Sequence, residues 1–263
     1  MTSAFQARTI DASPELLAQS YRLRYQVYCV ERKFLPADAY PDGVERDEFD
    51  RHSVHVGVVD GAGELAGTAR IIVRSDAGLP VFRYCTLFPD ALCIDDPAVR
   101  LVEVSRLSIS RGYRRRRDDG WFPGSPRADG DSRVPVAAVP DGRRPHADVF
   151  VTLVKAIYQA AKRLGATHWI VATERSLQRR VLQYGLPFVL AGPERDYLGP
   201  IAPYIMSLAE FDHVILNGHI PALDDFLVGL EPEFLPERGD DAPSGAANAE
   251  DAGRLRPANP ILR

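Results

Sequence analysis

The run Leu101–Ile109 reads Leu-Val-Glu-Val-Ser-Arg-Leu-Ser-Ile, so a carboxylate and a guanidinium stand three positions apart among apolar residues. Side chains alternate faces along a strand, which puts Glu103 and Ser105 on one face and Arg106 on the other in regular geometry. Ionisable groups buried among Leu, Val and Ile cost free energy unless they are paired or used. A partly buried glutamate has a raised pKa, which suits proton acceptance near neutral pH. Glu103 is therefore the candidate base, against the plainer alternative of a structural ion pair with a neighbouring arginine. Arg106 and Arg70 suit planar, bidentate recognition of a carboxylate, or else clamp neighbouring strands.

The elements that must position these groups follow from periodicity. Residues 14–30 carry apolar side chains at helical spacing (Leu16, Leu17, Tyr21, Leu23, Val27), predicting an amphipathic helix that bears Arg24 and Tyr28. Residues 35–50 form a loop rich in Pro, Asp and Gly. Residues 55–59 and 64–73 flank Asp60-Gly61-Ala62-Gly63, a hairpin signal. Residues 101–110 form the next strand. A second helix spans residues 147–164, then a strand at 167–172 and a helix at 176–184; Gly165 and Gly185 close the two helices. Two short strands at 188–191 and 204–208 complete an α/β core with a mixed sheet. Residues 111–146 are dense in Gly, Pro, Arg and Asp and too long for an ordinary connection, so they read as an insertion. The expected organisation is a single domain over residues 1–215, an extension over 216–235 and a disordered tail over 236–263.

Composition excludes several classes. With 263 residues and 45% hydrophobic content the chain can bury a sizeable core. A net charge of -4 argues against a general nucleic-acid binder. No apolar run approaches the roughly 18 residues that span a bilayer, and residues 1–14 lack a secretory pattern. Cys29, Cys85 and Cys93 are odd in number and lack metal-ligand spacing, which points to reduced thiols and a cytoplasmic location. His52, His55, His146, His168, His213 and His219 are scattered, so no metal site is expected. His55 and His168 read as satisfied core or edge residues. No Gly-x-Ser-x-Gly elbow is present.

Four motifs in order resemble the GNAT acyltransferase superfamily, in its autoinducer-synthase-like branch of acyl-homoserine-lactone and N-acyl amino acid synthases. Arg24, Tyr28 and Phe34 stand where that branch has an arginine and two aromatics. Asp47-Glu48-Phe49-Asp50 matches its acidic segment, Gly67 to Arg70 its Gly-x-x-Arg strand, and Glu103-x-Ser105-Arg106 its Glu-x-Ser-Arg strand. The resemblance spans about residues 10–210. Tyr28 and Phe34 replace the Phe and Trp of homoserine-lactone synthases, and the arginine-rich insertion is longer; both features look more like the acyltransferases associated with PEP-CTERM/exosortase systems.

The resemblance implies a GNAT-like mixed sheet flanked by helices, and an enzyme that moves a fatty acyl group from a thioester to an amine. It makes Glu103 and Arg106 catalytic, and Arg24, Tyr28, Phe34, Asp47, Asp50 and Arg70 substrate-binding, with Asp47 and Asp50 holding the substrate ammonium or tying down Arg24. Without the resemblance, these loop acids read as a solvated turn, Arg24 as a surface residue and the aromatics as core.

GNAT enzymes that use CoA alternate glycine with basic residues after this strand. Here Gly112 is followed by Tyr113, Arg114, Arg115, Arg116 and Arg117 without further glycine. That arginine cluster suits acyl carrier protein as partner, with an acyl-phosphopantetheine thioester as donor and no permanently bound cofactor; a solvated loop is the plainer reading. Trp121 and Phe122 stand nearby as candidates to cover the acyl entrance. The alternatives are an acyl-homoserine-lactone synthase using S-adenosylmethionine, a non-catalytic acyl-carrier-binding module, and a CoA-dependent acetyltransferase.

Overall fold

The computed structural model describes residues 5–89, 91, 96–113, 145–197, 199–218, 220, 223 and 226–236. The expectations for Arg114, Arg115, Arg116 and Arg117, for Trp121 and Phe122, for most of the insertion and for nearly all of the tail lie outside these residues.

The chain opens with strand β1 (Gln6–Thr9) and helix α1 (Pro14–Tyr25). The Ser13 hydroxyl caps α1 by accepting from the Leu16 N–H, and Pro14 enters at a position where no N–H is needed. The helix then widens into a π-helical stretch, Gln26–Glu31. Hairpin strands β2 (Ser53–Val59) and β3 (Leu65–Val73) follow, then the short helix α2 (Pro80–Tyr84) and strand β4 (Leu101–Ile109). Helix α3 (Pro145–Arg163) leads to β5 (His168–Thr173) and helix α4 (Arg175–Gln183). Strands β6 (Val189–Leu190), β7 (Arg195–Asp196) and β8 (Pro200–Ser207) precede helix α5 (Leu208–Asn217).

These strands build one mixed sheet in the order β1-β2-β3-β4-β5-β8-β6, with β7 also paired to β8. Every pairing is antiparallel except β4 with β5, whose connection runs through α3. Alternation divides the sheet chemically. On one face Ala69, Ile71, Val102, Val104 and Trp169 meet the apolar stripe of α3 (Leu153, Ile157, Ala161) and Phe211 of α5. On the other, Ile72, Leu101, Ile170 and Ile205 meet Leu79 and Val81 of the α2 segment. Gly165 and Gly185 take φ of +66° and +82° at the ends of α3 and α4, a conformation that costs glycine no Cβ clash.

Strand β1 and helix α5 are among the elements that carry no clear sequence signal. Strand β1 reads Gln-Ala-Arg-Thr and is mostly exposed; only its pairing with β2 defines it. Helix α5 begins where an apolar strand pattern continues, and the Ser207 side chain turns the chain by accepting from Glu210 N–H. Of the described residues in 216–235, Leu223, Phe226 and Leu230 are buried on the core, and the Tyr158 hydroxyl, which donates to Asp212 at 2.6 Å, also lies 3.1 Å from the Phe234 carbonyl.

Candidate active site

Strand β4 is irregular where the chemistry lies. Thr68 pairs with Ser108 but Arg70 pairs with Ser105, so Arg106 and Leu107 together oppose Ala69. This is a β-bulge, and Arg106 carries it with φ of +55°. The extra residue corrects the expectation that Arg106 faces away from Glu103 and Ser105. It swings the guanidinium onto their face, where Arg70 and Arg106 converge on Asp47 Oδ2 at 3.0 and 3.1 Å. Beyond Glu103 the strand also leaves its parallel neighbour: β4 and β5 pair at Leu101–His168, Val102–Trp169 and Glu103–Ile170 and, among the described residues, no further.

Glu103 is 4% exposed. Its Oε2 accepts from the Val81 N–H at 2.8 Å, which brings the first turn of α2 over the carboxylate. Burial pushes its pKa up to about 7, against the pull of the Val81 N–H, Arg70 and Arg106. Glu103 is therefore not the ion-pair partner of a neighbouring arginine. The arginines have other acids.

Those acids come from the loop before β2. Arg24 of α1 donates from Nε to Glu45 at 2.6 Å and from its two Nη atoms to Asp50 at 2.6 and 3.1 Å. Arg70 donates from Nε to Ser105 Oγ at 3.1 Å, to both oxygens of Asp47 at 2.6 and 3.0 Å, and to Asp50 at 2.8 Å. Arg106 donates to Glu45 at 3.1 Å and to Asp47. Asp50 also accepts from the Asp47 N–H at 2.8 Å and contacts His55 Nε2 at 3.0 Å. Burial alone would raise these carboxylic acids. The hydrogen bonds and charges of the arginines, with that of His55 on Asp50, outweigh it and hold Glu45, Asp47 and Asp50 below the usual range. Among the described residues no group of acids, His and Cys is arranged to hold a metal ion.

Exposure separates the arginines by role. Arg24 and Arg70 are each 1% exposed, with every guanidinium nitrogen engaged, whereas the Arg106 side chain is 23% exposed. Arg106 also lies over the Tyr28 ring, 5.3 Å from its centre. Tyr28 sits in the π-helical stretch, a distortion common at functional sites. Its hydroxyl donates to the Leu107 carbonyl at 3.4 Å, and its ring lies 6.1 Å from that of Phe34. The structure thus gathers Arg24, Tyr28, Phe34, Asp47, Asp50, Arg70 and Arg106 into one neighbourhood, with Glu103 on the same sheet face.

Sequence reasoning did not single out Glu45 or Asp11 and read His55 as an ordinary core residue. Glu45 is fully buried, yet in sequence it is one more acid in a polar loop. His55 had one available signal: it stands directly opposite Arg70 in the hairpin register, so it shares that face. A cavity of about 500 Å³ lined by Arg83, Tyr84, Glu194, Arg195, Asp196 and Tyr197 opens nearby. Tyr84 and Tyr197 stack with ring centres 4.0 Å apart. Tyr197, pushed up to about 12 by burial and by the Tyr84 hydroxyl, lies within electrostatic reach of Arg106 and Asp47.

These groups imply a stability optimum on the acid side of neutral. Glu45, Asp47 and Asp50 are depressed on folding, so their contribution is present above about pH 4 and is lost on further acidification. Glu103 and His55 are raised, so their contributions are complete at low pH and fade as pH climbs through about 7 for Glu103 and above 6.5 for His55. Urea midpoints measured from pH 3 to 9 should peak near pH 5 to 6. A plateau extending to pH 9 would contradict these assignments.

The fold is of the GNAT type. Residues 23–119, which carry the end of α1 with Arg24, the acidic loop, the hairpin and β4, match the family described as an acetyltransferase (GNAT) domain. Among solved structures, the fold is similar to that of FeeM, an N-acyl amino acid synthase from uncultured soil microbes, at 15% identity over 80% of this chain and 93% of that chain, with a TM-score of 0.52. It is similar also to BjaI, a CoA-dependent acyl-homoserine lactone synthase with SAM and isopentyl-CoA, at 17% identity over 85% and 98% of the two chains (TM-score 0.55). TofI, in a ternary complex with an inhibitor and MTA, matches at 20% identity over 88% and 98% (TM-score 0.51). No curated protein sequence matches the chain. At these identities the shared property is the fold.

Proposed function

We propose that the chain is an N-acyltransferase that moves a fatty acyl group from an acyl carrier protein thioester to the amine of an amino acid or similar small amine. The observation that carries this reading is Glu103. It is a buried carboxyl poised near neutrality, at the point where β4 parts from β5, with a partly exposed guanidinium at the bulge beyond it. The gap between the strands is assigned to the acyl-phosphopantetheine arm. The amine lone pair attacks the thioester carbonyl carbon, the carbon–sulfur bond breaks, and the carrier thiol leaves. Glu103 takes the proton lost by nitrogen, directly or through a water, and returns it to the departing sulfur. Val81 N–H engages Oε2, so the proton goes to Oε1.

Arg106 takes the substrate carboxylate, because it is the most exposed of the three cluster arginines. Arg24 braces Glu45 and Asp50, Arg70 braces Asp47 and Asp50, and Glu45 and Asp47 in turn hold Arg106. Tyr28 and Phe34 wall the pocket and exclude water. The arginine run from Arg114 to Arg117 is assigned to the acidic carrier protein on charge alone, so carrier affinity should weaken steeply with salt.

The test offers purified protein a palmitoyl-loaded acyl carrier protein with a panel of amino acids, and reads products by mass. An N-acyl amino acid supports the proposal. A homoserine lactone formed from S-adenosylmethionine would replace the amino acid with that donor, and carrier binding without amide across the panel would reduce the chain to a binding module. Phe34→Ala should lower kcat/KM for the amine roughly tenfold or more and raise thioester hydrolysis, with the fold intact. Unchanged coupling in that variant would remove Phe34 from the pocket wall.

A further inference from the structure

His55 lies on β2 with its side chain 4% exposed, and both ring nitrogens face carboxylates. Nδ1 is 2.7 Å from Asp11 Oδ1, and Nε2 is 3.0 Å from Asp50 Oδ1. A neutral imidazole has one N–H, and a carboxylate has none to give. Both contacts are hydrogen bonds only when the ring carries two protons. The backbone N–H of His55 also donates to Asp11, at 3.0 Å. Tyr21 of α1 meets the ring edge-on with centres 5.8 Å apart, and Arg24 and Arg70 reach the same Asp50 oxygen from α1 and β3.

With His55 charged, the network closes. Arg24, Arg70, Arg106 and the imidazolium face Asp11, Glu45, Asp47 and Asp50, four charges of each sign. Asp11 is the outer end of this chain of contacts. It is 42% exposed and borders a cavity of about 510 Å³ lined also by Arg8, Arg163 and Glu231, so a buried histidine has a route to solvent.

We propose that His55 is a positioning residue: as an imidazolium between Asp11 and Asp50 it keeps Asp50 shared by Arg24 and Arg70, keeps Asp47 shared by Arg70 and Arg106, and so sets how strongly Arg106 attracts a substrate carboxylate. The proposal rests on the reading of Arg106 given above. When His55 loses its proton, one acid contact is lost and the network carries an excess negative charge. Asp50 then draws Arg70 closer, Asp47 turns more fully to Arg106, and a substrate carboxylate competes less well there. Burial opposes the ring's charge, and Asp11 and Asp50 outweigh it, so the transition lies above the ordinary histidine value.

Two readouts on the full chain test this. Nitrogen-15 NMR of the arginine side chains needs no substrate. The Nε signals of Arg24, Arg70 and Arg106 should move together through one transition above pH 6.5. That transition should vanish in His55→Gln and fall by about one unit in Asp11→Asn. In turnover assays the KM for the amino acid should rise roughly tenfold through the same transition, and His55→Gln should show the high KM throughout with the wild-type pH dependence of kcat. Arginine signals indifferent to His55 ionisation, or wild-type KM in His55→Gln at every pH, overturn the proposal. If His55→Gln does not fold, Asp11→Asn decides, and an unmoved transition in it is equally fatal. If the wild type acylates no amine, the acyltransferase reading fails and the NMR transition alone judges His55.

Discussion

Glu103→Gln should remove turnover by a factor of roughly 10²–10⁴ while leaving the fold intact and, at pH 8, more stable than wild type. The two effects have one cause. The wild-type carboxyl is raised from 4.5 to about 7 because burial disfavours its charge. It binds its proton more tightly folded than unfolded, so its contribution to stability is complete below about 4.5 and lost as pH climbs through about 7. A shift of this size corresponds to about 3 kcal/mol of strain carried by the ionised form. Glutamine keeps the shape and can still accept from the Val81 N–H, but has no charge to bury. Urea midpoints of the two proteins should coincide near pH 5 and separate in favour of the variant at pH 8. In the wild type, kcat should rise with pH through about 7 as the base form appears. Near-normal product formation by the variant would dismiss Glu103 from the chemistry, and a midpoint lower than wild type at pH 8 would dismiss the account of its burial.

Asp50→Asn should produce the largest loss of stability, about 3–5 kcal/mol at pH 6. Asp50 is the hub of the network: Arg24, Arg70, His55 and the Asp47 N–H all address its two oxygens. Asparagine is isosteric, so little packing is lost. What remains is three positive groups in a nearly dry site with one carboxylate fewer, and an amide that points a donor at one of them. The Arg83–Glu48 pair is the control. Its 2.8 Å contact is as short as those of Asp50, but both side chains are about half exposed. Glu48→Gln should therefore cost less than about 1 kcal/mol. Equal midpoint shifts for the two variants would show that the cluster is solvated in solution and braces nothing.

Much of the positioning framework was legible in the sequence because it is written in periodicity. The alternation in β2, β3 and β4, the 3.6-residue stripe of α3 and the glycines at its end each encode burial locally, and the structure follows them within a residue or two. Strand β1 was not legible, since Gln-Ala-Arg-Thr has no alternation and becomes a strand only by pairing with β2. The start of the site was legible too: a carboxylate in an apolar strand must be paired or used, and Glu103 is buried as that argument requires.

By itself, then, the chain's order of residues determined the hairpin, the central strand, the long helix and the burial of Glu103, because neighbours two or four positions apart suffice to specify them. Tertiary structure alone decided which way Arg106 points, since one extra residue in a bulge reverses the face that alternation assigns. It alone decided that Glu45 and Asp11 join the cluster and that His55 bridges two acids, since loop acids look alike until α1, β3 and β4 close around them. It alone set the α2 turn over Glu103, through a hydrogen bond between residues 22 positions apart. Such contacts depend on how remote elements meet, and no local pattern carries that information.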